Sequence, residues 1–299
     1  MEATVRSLAR RAVTGLLHLL PSGAPPRIYA TLFRGPLGKI GNPLIKALLP
    51  VQVRLPEGLI ILNREDPTVS AAIAFGVFEP YETQLFREAV RPGMTVVDIG
   101  ANIGYFTVIA AHLAGKTGRV IAFEPAPENF RVLTETLSVN GFVTARAYQV
   151  AIADKEGTLI LNLFDSNKGK HSLVKDKSDE KGFDGSIRVS ATTLDAFCAS
   201  HDVGTIDVIK MDIEGAESLA LSGMHQALAD TKVLFMEFTP SAIRKVRDEP
   251  EAVLRFLREK GFKVSSIEEH TRSTRPIADV RAFIRSIPDG ECANLLCKK

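Results

Sequence analysis

From Thr95 onward the sequence alternates short apolar runs, rich in β-branched residues, with longer stretches of helical spacing, and few folds tolerate that alternation. TVVDIG follows the turn pair Pro92-Gly93 and reads as a strand buried on both faces. Residues 103–114 then place Ile103, Phe106, Ala110 and Leu113 at helical spacing. RVIAFEP (119–125) is a second buried strand, and Pro127 and Glu128 suit the first turn of a helix with Phe130, Leu133 and Leu137 on its apolar face. ARAYQVAI (145–152) and TLILNLF (158–164) are predicted as a third and a fourth strand. Residues 165–186 are polar and contain glycines, the composition of an exposed loop or lid. The pattern resumes with the strand IRVSA, the short helix TTLDAFCAS, the buried strand IDVIKMD and a helix over 215–229. The strand KVLFMEF, a helix at 250–260, the strand FKVSSIE and a last strand near ANLLC complete the chain. The expectation is an α/β protein with a mainly parallel sheet covered by helices on both faces.

Upstream, VQVRL (51–55) and LIILN (59–63), separated by PEG, read as a β-hairpin, and a helix is predicted from Pro80 to Val90. Residues 1–50 read as a helical N-terminal extension broken by prolines, with one domain over 51–299. Arg6, Arg10 and Arg11 precede the apolar stretch AVTGLLHLL, but His18 interrupts it and no A-x-A cleavage site follows. An amphipathic accessory helix is the simplest reading; targeting, or contact with a membrane surface, stays open. No apolar run reaches the roughly 18 residues of a membrane-spanning helix. The three cysteines, Cys198, Cys292 and Cys297, lack paired spacing, which argues against a disulfide framework or a zinc site and for a reducing, cytoplasmic setting. A net charge of +2 gives no reason to expect a nucleic-acid partner.

In an open α/β sheet, ligands sit beyond the carboxyl ends of the strands. Three of these ends carry acids: Asp98 in VVDIGANIGYF, Glu124 in AFEPAPENF and Asp212 in VIKMDIEGAE. Gly100 and Gly104 flank the first strand-to-helix turn with Asn102 between them, a spacing that departs from the G-x-G-x-x-G of dinucleotide sites. An acid two residues before Gly100 fits a site for a cation, and Glu124 stands where a carboxylate can accept both hydroxyls of a ribose. NAD sites use an acid in the same place, so Glu124 alone does not choose between cofactors.

These motifs, in this order and together with TTLDAF, GVFEPYETQLF (76–86) and VIKMDIEGAESLALSGM, resemble the FkbM family of S-adenosylmethionine-dependent methyltransferases over residues 51–240. The resemblance implies a Rossmann-like class I methyltransferase with a seven-stranded sheet. It implies that Gly100, Ala101, Asn102 and Gly104 line the methionine half of S-adenosylmethionine, with Asp98 beneath. Glu124 would hold the ribose hydroxyls, Pro125 the adenine side, and Ala151 and Ile152 the adenine border; Glu79 and Tyr81 would cover the methionine end. By family analogy the acceptor is a small molecule or saccharide bearing a hydroxyl.

An alcohol is a weak nucleophile, so its methylation gains about 10²–10⁴ in rate from a general base within hydrogen-bond reach. Asp212 is the first candidate, either for that proton or for the cofactor's amino group. Glu214, in the following turn, Glu237, ending KVLFMEF, and the loop residue His171 are further candidates. Glu217 falls in a first helical turn and reads as an electrostatic cap. Asp212, Glu214 and Glu237 could together meet a divalent cation, but without histidine partners or an established spacing no metal is expected. A nitrogen acceptor is the rival reading, since an amine depends less on a strong base.

Overall fold

The computed structural model describes residues 49–64, 66–164, 171–173, 183–246 and 249–299. The expected N-terminal extension, with its membrane contact, and most of the expected lid lie outside the described residues. The PEG hairpin forms as β1 (Gln52–Arg54) and β2 (Leu59–Ile61), paired antiparallel. Helix α1 (Pro67–Ala74) follows; the Asp66 carboxylate accepts from the Thr68 and Val69 amides at 3.1 and 3.2 Å, satisfying donors that a first turn leaves free. Helix α2 (Pro80–Ala89) starts on a proline whose φ is already helical.

The alternating segment then gives β3 (Thr95–Ile99), α3 (Tyr105–Ala114), β4 (Arg119–Phe123), α4 (Pro127–Asn140) and β5 (Ala145–Tyr148). ARAYQVAI is two strands, since β5 ends at Tyr148 and β6 (Ala151–Ile152) pairs elsewhere. With β7 (Gly157–Phe164) and β8 (Phe183–Thr192), β6 builds a separate sheet in the order β6-β8-β7. The partial alternation of TLILNLF is explained by this placement: a peripheral hairpin has one face buried, unlike a central strand.

Helix α5 (Leu194–Ser200) leads to β9 (Val208–Met211). The helix expected over 215–229 is two, α6 (Glu217–Ser222) and α7 (Ala227–Asp230). The Asp195 carboxylate accepts from the Gln226 and Ala227 amides, so α7 has its own start, capped from α5. The chain ends through β10 (Val233–Phe238), α8 (Pro240–Lys245), α9 (Pro250–Glu259), β11 (Lys263–Glu268), β12 (Ser273–Pro276), α10 (Val280–Ser286) and β13 (Ala293–Lys298).

The main sheet has the order β12-β11-β13-β10-β9-β3-β4-β5, so its eight strands exceed the expected seven by the edge strand β12. Strands β10, β9, β3, β4 and β5 run parallel, and β13 is inserted antiparallel between β10 and β11. This is the Rossmann-like sheet that the resemblance implies. Successive residues of its central strands serve opposite apolar layers: Val97 and Ile99 pack with Ile209 and Met211, whereas Val96 packs with Val120, Phe106 and Phe235. Each fully buried side chain of this size contributes about 1.5–3 kcal/mol. The two layers thereby hold the carboxyl ends of β3, β4, β9 and β10 in fixed relation.

Candidate active site

Strands β3 and β9 are hydrogen-bonded neighbours with Ile99 opposite Met211, and the Asp212 amide donates to the Ile99 carbonyl at 2.9 Å. Their loops are pressed together at Gly100, which has φ +84°; a β-carbon there would lie 1.8 Å from the Asp212 carbonyl oxygen. The glycine is thus required by loop-to-loop packing and by its left-handed backbone. Two cavities open on either side of this contact, and Gly100, Asn102 and Asp212 line both.

The first is a narrow cleft between Phe123, Val150, Ile152, Leu161 and Ile213, with Glu124, Pro125 and Ala151 at its polar end. Glu124 is 5% exposed, and its two oxygens accept from the Asn102 amide (2.9 Å) and the Ala126 amide (2.8 Å). Burial pushes its carboxyl up to about 7, against the pull of those two amides. Each oxygen keeps a lone pair for a hydroxyl. His171 also lines this cleft, beside Leu173, and accepts the Phe164 amide on Nδ1 at 3.2 Å. It does not line the wider cavity where an acceptor base was expected.

The second cavity, about 380 Å³, has an acidic floor of Glu79, Asp98, Asp212, Glu214 and Glu237 and a wall that includes Phe78, Tyr105 and Ala101. Asp98 accepts from Thr107 Oγ1, and burial raises its carboxyl to about 6. Glu79 has φ +38°; burial, then the neighbouring Glu82 charge, pushes it up to about 8. Burial, then the charges of Asp212 and Glu214, holds Glu237 well above the usual carboxylate range. Oxygens of Asp212, Glu214 and Glu237 lie within 4.8 Å of one another.

The floor also contains Lys210 and, behind it, Glu82, which the sequence reading passed over. Lys210 is 1% exposed, with Nζ 3.1 Å from Glu82 Oε1 and 3.7 Å from Asp212 Oδ2. Burial alone would lower its pKa, but the charges of Glu82, Glu79 and Asp212 outweigh that and hold the ammonium well above its ordinary value. One lysine inside the apolar run VIKM was the available signal, because a buried strand accepts a cation only opposite acids.

Two expected cofactor residues line neither cavity. Gly104, at φ +93°, begins α3 and faces the Leu133 side chain, where a β-carbon would come within 2.8 Å. Tyr81 turns the other way: its amide donates to Glu269 Oε2 at 2.9 Å, and its ring packs against the Arg272 guanidinium. Glu217 does more than cap its own helix, since Oε1 reaches back to accept from the Ile213 and Gly215 amides.

The family description "Methyltransferase FkbM domain" matches residues 98–264, more than half of the chain. This protein belongs to the FkbM methyltransferase family. Three curated relatives show the range of that similarity. Methyltransferase sdnD of Sordaria araneosa is 29% identical over 199 residues, covering 57% of this chain and 74% of the relative. The 2-O-methyltransferase NoeI of Sinorhizobium fredii is 26% identical, covering 62% of this chain and 80% of its own. The 31-O-demethyl-FK506 methyltransferase FkbM of Streptomyces tacrolimicus is 28% identical, covering 46% and 62% respectively.

This FkbM-family enzyme uses S-adenosylmethionine, and its site has features that fit the cofactor. The cleft pairs apolar walls suited to an adenine with a buried carboxylate suited to a ribose diol. Asn102 Oδ1, at the junction of the two cavities, is a buried acceptor with no hydrogen-bond partner in the protein. Among the described residues no helix is long and apolar enough to cross a membrane.

Proposed function

We propose that this FkbM-family methyltransferase methylates a hydroxyl oxygen of a saccharide or another small hydroxylated molecule. The observation that carries this reading is the place of Asp212, a carboxylate common to the narrow cleft and the wide cavity. A base at that junction lies between the cofactor side and the acceptor side, where a hydroxyl proton must be taken up. The relatives named 2-O-methyltransferase and 31-O-demethyl-FK506 methyltransferase support oxygen as the acceptor atom.

When bound, S-adenosylmethionine supplies an electrophilic methyl group on a sulfonium. Glu124 accepts the ribose hydroxyls on the lone pairs its two backbone contacts leave free. Phe123, Val150, Ile152 and Leu161 keep water from the adenine, with Pro125 and Ala151 at the border. Asn102 Oδ1, buried without a hydrogen-bond partner, is an acceptor available to an ammonium. Asp212 takes the hydroxyl proton, while Glu214 and Glu237 orient further hydroxyls of the acceptor. Phe78 and Tyr105 present apolar faces to the carbon side of a sugar ring. The three free cysteines support a reducing, cytoplasmic setting.

The test is incubation of the protein with isotopically labelled S-adenosylmethionine and extracts of host glycans and metabolites. The labelled product is then identified by NMR. A methyl ether is the expected product; a methylamine would overturn the oxygen assignment in favour of nitrogen transfer.

A further inference from the structure

Lys210 stands in β9 among the buried residues Val208, Ile209 and Met211, where a cation is costly unless acids surround it. Glu82 meets that need most closely, being fully buried with Oε1 at 3.1 Å from Nζ. Two more carboxylates nevertheless converge on the same ammonium from the cavity. Asp212 Oδ2 lies at 3.7 Å and Glu79 Oε2 at 4.0 Å, and their side chains are 29% and 25% exposed. The Phe106 ring covers another side of the ammonium, 5.0 Å away. Register places Lys210 beside Asp98 on β3 and Phe235 on β10, and Asp212, two residues on, leaves the strand on the same face. The ammonium thus lies within ion-pair distance of two cavity carboxylates besides Glu82.

We propose that Lys210 is a positioning residue that fixes the Asp212 and Glu79 carboxylates against the methionine end of the cofactor. Asp212 lies in a loop beyond the strand end, and three acids crowd this corner of the floor. The ammonium between them draws both carboxyls to this corner, and without it that hold is lost. Nζ engages one oxygen of each, Oδ2 of Asp212 and Oε2 of Glu79, and leaves the other Asp212 oxygen free to turn to the cofactor or the acceptor. This inference rests on the reading of Asp212 given above.

Lys210→Met by itself would strand the Glu82 charge in the core, so the informative variant is Lys210→Met with Glu82→Gln, which removes both buried charges. S-adenosylmethionine is titrated by calorimetry into the wild type, this double variant, Asp212→Asn and the triple variant. Thermal unfolding is followed in parallel. The double variant is expected to unfold cooperatively and to bind the cofactor about tenfold or more weakly, the scale of a lost contact with a charged group. In the Asp212→Asn background the same pair of changes should cost less than in the wild type, by about twofold or more, because the nearer of the two carboxylates that Lys210 holds is already gone. Wild-type affinity in the double variant, alongside a weakened Asp212→Asn, would overturn the role of Lys210 and leave that of Asp212 standing. Losses that multiply, or a double variant that fails to fold, would assign the lysine to the scaffold. Unchanged affinity in Asp212→Asn would overturn this inference, while the role of Asp212 toward the acceptor proton is decided separately by the methylation rate of the same variant.

Discussion

The carbonyl oxygen of Asp212 occupies the space in which a β-carbon on Gly100 would lie, at 1.8 Å from that position. A conserving change at Gly100 therefore reaches across two strands. Gly100→Ala forces an alanine into φ +84° and drives the β9 loop away from the β3 loop. It should lower unfolding free energy by at least about 2 kcal/mol in urea titration. Binding of S-adenosylhomocysteine, followed by calorimetry, should fall with it, because both cavities share this contact.

Glu124 makes two backbone hydrogen bonds and is proposed to make two more to a ribose. Glu124→Gln keeps the shape but offers one acceptor oxygen in place of two. Affinity for S-adenosylhomocysteine should drop by about 10–100-fold, matching the 1.5–3 kcal/mol of hydrogen bonds to a charged group. Unchanged affinity in the calorimeter would remove Glu124 from the cofactor site.

Asp212→Asn retains size and polarity but cannot take a proton at neutral pH. Once an acceptor is identified, its single-turnover methylation rate should fall by about 10²–10⁴, the range for loss of a general base. An acceptor nitrogen would retain most of the rate in the same assay, so one variant separates the two chemistries.

Glu217 supplies a pH dependence whose sign can be worked out. Burial raises its carboxyl from 4.5 to about 7 in the folded protein, so the fold holds this proton more tightly than the unfolded chain does. The contribution to stability is complete below about 4.5 and is lost as pH rises through about 7. Glu217→Gln keeps the Oε1 contacts to Ile213 and Gly215 and replaces Oε2, which has no partner. Denaturant titration should show the variant matching wild type in acid and exceeding it at pH 8 by about 1–3 kcal/mol. A constant difference across pH would contradict the raised carboxyl.

The amino-acid sequence by itself determined the alternation of strands and helices from Thr95 to Phe238, because hydrophobic period and turn residues act over a few neighbours, but it gave no sign of α8, β12 or α10. It also placed Asp98, Glu124, Asp212 and Glu237 at or just beyond strand ends, since each acid lies within one residue of the end of an apolar run. What it left undecided depends on partners far along the chain. Glu269 caps the start of α2 by accepting from the Tyr81 and Glu82 amides, 188 and 187 residues away, and Tyr81 packs beneath Arg272 while Glu79 faces the cavity. The β7–β8 hairpin left the main sheet for its own because strand period says nothing about which neighbour a strand will pair with. Lys210 became a buried ammonium only when α2 brought Glu82 and Glu79 over β9, and a charge in the core is tolerated only where tertiary packing delivers its counter-charge.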